Sequence, residues 1–85
     1  MNEVNQMIVH FYTRKNCGLC EEGKLMLELA QEDHGFIIEE RDIDTSDEWT
    51  EKYGLMIPVV EVDGEIINAG NIDFVTISKR FQKKS

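Results

Sequence analysis

Cys17 and Cys20 stand three residues apart in the stretch Arg14-Lys15-Asn16-Cys17-Gly18-Leu19-Cys20, and the chain has no other cysteine. Their side chains suit three kinds of chemistry: a dithiol–disulfide couple, half of a metal site, or a short structural bridge. Structural zinc needs four ligands, and beyond the cysteines only His10 and His34 are on offer, neither at finger-like spacing. A bridge across two intervening residues removes little loop entropy, so it constrains the unfolded chain weakly. A redox couple needs an activated thiolate, which a helix N-terminus provides through its unsatisfied N–H groups and positive dipole end.

The flanking elements supply that helix start. Met7 to Thr13 is β-branched and aromatic and predicts a strand buried on most of its surface. From Gly18 to about Asp33 the residues Leu19, Met26, Leu27 and Ala30 recur at helical spacing, with Leu25 and Leu29 widening the stripe, and Gly35 closes the helix. Cys17 lies outermost at its start and reads as the nucleophile. Cys20, one turn further in, reads as the more buried, resolving thiol.

A second strand covers Phe36 to Ile43, apolar at first and charged later, as for a strand leaving the sheet. Thr45 with Glu48 forms a capping box for a short helix that reaches Tyr53 and stops at Gly54. Trp49 and Tyr53 share a face and read as its packing side. Ile57 to Val62, Asp63-Gly64 and Glu65 to Asn68 form a hairpin, because Asp-Gly between β-branched runs favours the tight primed turn. Residues 70–82 close the chain as a helix with Ile72, Val75 and Phe81 apolar, and with Lys79, Arg80, Lys83 and Lys84 near its C-terminal dipole. His10 reads as a satisfied sheet histidine.

Eighty-five residues suffice for one domain, 1–85, with a compact core. The formal charge of −8 opposes sequence-independent attraction to nucleic acid or anionic lipid, so neither is an expected partner. With no run of signal-peptide or membrane-span length, the chain is expected in the cytoplasm, where paired cysteines serve catalysis or metal binding more often than permanent bridges.

Strand, CxxC at a helix start and a later Ile-Pro opening a strand resemble the thioredoxin-like fold in its compact glutaredoxin form. The motifs are "YTRKNCGLC" at 12–20 and "MIPVVEVDGE" at 56–65. The resemblance spans essentially the whole chain and implies a three-layer α/β/α sandwich with a mixed four-stranded sheet, in the order β-α-β-α-β-β-α. It implies a monomeric thiol–disulfide oxidoreductase serving electron transport, with no bound cofactor, acting on a disulfide-containing protein or a glutathione mixed disulfide. Glutathione is then an expected reductant.

The resemblance also implies a cis Ile57-Pro58 bond whose backbone forms a shelf for substrate beside Cys17, whereas the residues alone predict trans. Arg14 matches the basic residue three before the first cysteine that holds a glutathione carboxylate in typical glutaredoxins. The Gly-Gly-x-Asp-Asp type turn reads Ala69-Gly70-Asn71-Ile72-Asp73, in which Gly70 and Asp73 match and Ala69 and Ile72 do not. Substrate contacts are therefore expected at Arg14, Gly18, Leu19, Ile57, Pro58, Gly70, Asn71 and Asp73, with glutathione binding weakened. Gly18-Leu19 departs from the usual Pro-Tyr, and Asn16 stands where thioredoxins carry tryptophan, which marks a divergent branch. Arg14 and Lys15 favour a thiolate and Glu21 and Glu22 oppose it. The alternative is a binding or assembly module on the same fold, docking on a redox partner or carrying an iron–sulfur cluster shared between two copies.

Overall fold

A computed structural model describes residues 7–82. The chain forms β1 (Ile8–Thr13), α1 (Gly18–His34), β2 (Ile37–Asp42), α2 (Asp47–Tyr53), β3 (Val59–Val62), β4 (Glu65–Ala69) and α3 (Phe74–Phe81), with a short 3-10 turn at Ile43–Thr45. The sheet order is β2-β1-β3-β4. β1 and β2 run parallel through the α1 crossover, and the β3–β4 hairpin completes the other edge antiparallel to β1. This is the thioredoxin-like architecture that the motifs imply.

Strand alternation sorts the interior into two layers. Val9, Phe11, Val60 and Val62 point toward α1 and α3 and pack with Leu27, Ala30, Phe36, Ile72 and Ile77. Tyr12 and Val59 point the other way and pack with Ile43 and Tyr53 under α2. Asp63 and Gly64 both take positive φ, at 54° and 78°, as a primed hairpin turn requires.

Several elements differ from expectation for local reasons. The buried seam of α1 is Cys20, Gly23, Leu27 and Ala30, while Leu19, Leu25 and Leu29 remain 52%, 59% and 49% exposed. The apolar stripe is wider than the surface the sheet covers. β2 does not leave the sheet: it pairs with β1 as far as Thr13 opposite Asp42. Its charges are solvated because it is an edge strand. Ser46, not Thr45, caps α2 by accepting from the Trp49 N–H at 3.2 Å. Thr45 is occupied in the 3-10 turn, donating to the Asp42 carbonyl at 2.7 Å. α3 begins at Phe74 rather than residue 70, because Gly70 adopts a left-handed φ of 78° and Asp73 supplies the cap. Val75 faces solvent, and Ile77 takes the buried position. Lys83 and Lys84 lie outside the described residues.

Candidate active site

β1 delivers the chain to the site and a tight loop turns it into α1. Asn16 makes that turn with φ 58°, a conformation asparagine adopts more readily than most residues. Cys17 is the N-cap of α1, and its Sγ accepts the Cys20 backbone N–H at 3.1 Å. Its carbonyl accepts the Glu21 N–H at 3.1 Å. The two sulfurs are joined as a disulfide, with the Cα atoms 5.2 Å apart. Cys17 is half-buried and Cys20 is 3% exposed, the ordering that helix position predicts.

The Ile57-Pro58 bond is cis, as the family resemblance implies and the residues alone do not. Pro58 is fully buried, and its carbonyl accepts the Gly70 N–H at 2.8 Å. A Cβ placed on Gly23 would lie 2.9 Å from Ile72 Cγ1 and 3.4 Å from Pro58 Cγ. Only glycine lets α1, the proline and the turn before α3 meet this closely.

The expected substrate residues fall on two flanks. On the β2 flank, Arg14, Lys15, Cys17, Lys24, Glu40 and Asp42 line a cleft of about 470 Å³. Two of its three cations are paired: Arg14 Nε meets Asp44 Oδ1 and Lys24 Nζ meets Glu40 Oε1, each at 3.1 Å. The hydrogen bond from Lys24 to Glu40, aided by the carboxylate's charge, holds the ammonium above its usual pKa. On the α3 flank, Leu19 and Asn71 line a second groove of about 280 Å³ with Glu22, Gly23, Leu25, Met26 and Ile72. Arg14 does not line it. Gly18 is exposed, with open space where a Cβ would stand. The Asp73 carboxylate caps α3, accepting from the Thr76 N–H at 3.1 Å and the Thr76 hydroxyl at 3.0 Å. The backbone N–H of Asp73 is held by Asn68 Oδ1 at 2.9 Å.

Residues 8–82 match the family model described as "Glutaredoxin-like domain (DUF836)". The chain belongs to that family. It is similar to a Nitrosomonas europaea protein solved by NMR, with 25% identity and a TM-score of 0.81 over 96% of this chain and 99% of that one. An X. campestris protein aligns at 21% identity and a TM-score of 0.72, over 85% of this chain and 92% of that chain. A mutant thioredoxin from Halobacterium salinarum aligns at 21% identity and 0.65, covering 91% and 73%. These last two likenesses speak for the fold. No curated protein matches the sequence.

Among the described residues no group of three or more His, Cys, Asp or Glu side chains is placed to hold a metal ion, and no helix is long and apolar enough to cross a membrane. His10 Nε2 lies 3.0 Å from Glu39 Oε1, the satisfied sheet position expected for it.

One polar cluster escaped the sequence reading. Glu61 is buried under α2, where Tyr53 donates to its Oε2 at 2.9 Å and Tyr12 donates to its Oε1 at 3.3 Å. Arg41 donates to the Tyr12 hydroxyl at 2.9 Å and lies 5.0 Å above the Trp49 ring. Tyr12 and Tyr53 stack with centroids 4.0 Å apart. Burial first, then hydrogen bonding to Tyr12 and Glu61, raises the Tyr53 phenol well above its ordinary pKa. The available signal was period two in β3, which puts Glu61 on the same face as Val59 and opposite to Val60 and Val62.

Proposed function

We propose that the protein is a thiol–disulfide oxidoreductase in which Cys17 attacks and Cys20 resolves. The Cys17 thiolate attacks one sulfur of a substrate disulfide, forming a mixed disulfide and expelling the other sulfur as a thiolate that takes a proton from solvent. The Cys20 thiolate then attacks Cys17 Sγ, closing the Cys17–Cys20 disulfide and releasing the second substrate thiolate. Two electrons pass to the substrate, and an external thiol of the glutathione or thioredoxin type restores the dithiol.

The observation that carries this reading is the position of the pair: a disulfide at the N-cap of α1, with the Cys20 N–H aimed at the Cys17 sulfur at 3.1 Å. When the bond is open, that N–H and the helix dipole stabilise a thiolate at Cys17 rather than at the buried Cys20. Ile57 serves as the substrate shelf through its carbonyl, since its N–H is already donated to the Tyr53 carbonyl at 3.1 Å. The protein acts as a cytoplasmic monomer in this reading.

Dithiothreitol-driven reduction of 2-hydroxyethyl disulfide tests it. Cys17→Ser should abolish turnover, and Cys20→Ser should accumulate a mixed disulfide at Cys17, visible as added mass. Full activity in Cys17→Ser would refute the assignment.

A further inference from the structure

The groove on the α3 flank begins between the two cysteines. Leu19, Gly23 and Met26 follow at i, i+4 and i+7 along one face of α1, and Ile72 forms the opposite wall. Leu19 and Leu25, both lining it, are 52% and 59% exposed. Large apolar side chains held open to water next to a reactive disulfide mark a contact surface rather than a core. The floor is continuous with the cis-proline shelf, because Gly23, Ile72 and Pro58 meet there.

Charge decides what fits. The lining contains one carboxylate, Glu22, and no cation, and Glu21 precedes it. The cations near the cysteines, Arg14, Lys15 and Lys24, all line the opposite cleft, where Arg14 and Lys24 are paired with Asp44 and Glu40. A ligand with two carboxylates and no large apolar side chain therefore finds neither cation nor complementary surface in this groove. A polypeptide with a large apolar residue beside its cysteine and a lysine or arginine next to that finds both.

We propose that this groove selects polypeptide disulfides whose cysteine is flanked by an apolar and a basic residue, and disfavours glutathione disulfide. This specificity rests on the oxidoreductase reading for its use, but binding is measurable without turnover. Leu19, Met26 and Ile72 receive the apolar side chain, Glu22 pairs with the cation, and Asn71 offers a polar edge to the peptide backbone.

The test titrates oxidised, isotope-labelled protein with short peptides in which serine replaces the cysteine, followed by backbone amide NMR shifts. A peptide with leucine and lysine flanks should move the Leu19, Gly23, Met26, Asn71 and Ile72 amides and bind at least fivefold more tightly than its leucine and glutamate counterpart. Glu22→Lys should reverse that order, and raised salt should shrink it, as screening of an exposed pair requires. Equal affinity for the two peptides, shifts confined to the Arg14 cleft, no shifts at all, or equal binding of oxidised glutathione in the groove would each overturn the proposal. Turnover of uncharged 2-hydroxyethyl disulfide by the wild-type protein is read separately. Its absence would sink the oxidoreductase reading while leaving the peptide result to stand or fall alone.

Discussion

The two faces of the sheet are held by different physics. Toward α1 and α3, Val9, Phe11, Val60 and Val62 meet Leu27, Ala30 and Ile77 with no polar partner required, so burial of apolar area does the holding. Toward α2, Tyr12, Tyr53 and Glu61 form a buried hydrogen-bonded set closed by Arg41. A face of the first kind tolerates imperfect fit and responds to lost volume. A face of the second kind responds to the loss of any one partner, because a buried donor without an acceptor keeps its full desolvation cost.

Four substitutions measure that difference, read as shifts in the urea midpoint at constant slope. Leu27→Ala should cost about 3 kcal/mol, through lost burial and the cavity left under α1. Glu61→Leu adds apolar volume yet should cost about 2 kcal/mol, because two phenol hydroxyls lose their acceptor. A neutral or stabilised Glu61→Leu protein would erase the distinction between the faces. Tyr53→Phe should cost about 1 kcal/mol at neutral pH, since the hydrogen bond goes but the stacked ring remains.

Tyr53→Phe also carries a signature in pH. With its pKa raised above the ordinary 10.0, the folded phenol keeps its proton while the unfolded one loses it. The Tyr53 contribution is therefore present below that value and lost as pH rises beyond it. The variant should show a shallower alkaline loss than the wild type, and identical slopes would remove Tyr53 from the buried set. Arg14→Ala, breaking the exposed pair with Asp44, should change stability by less than about 0.5 kcal/mol. A larger loss would mean that the charged cleft is structural in the same sense as the α2 face.

Much of the site was legible because its signals are local. The Asp63-Gly64 turn, the helix end at Gly35 and the placement of Cys17 before Cys20 on α1 follow from spacing and backbone preference. The cap of α2 and the start of α3 were displaced because the expected residues are engaged elsewhere: Thr45 donates to the Asp42 carbonyl, and Gly70 takes a left-handed turn whose N–H is donated to the Pro58 carbonyl. Arg14 was expected to meet a substrate carboxylate, but spacing could not show that Asp44, thirty residues away, already pairs with it in the β2-side cleft.

By itself the sequence determined the chemistry available: two thiols, their order on a helix start, and the strands that carry them, since these depend on neighbours within a turn or two. The tertiary structure alone decided which leucines of α1 stay exposed, which cations are already paired, and which carboxylate is buried between tyrosines. Those outcomes depend on contacts between residues far apart in the chain, and in the periodicity of α1 alone a leucine facing the sheet looks the same as one left at the edge of a groove.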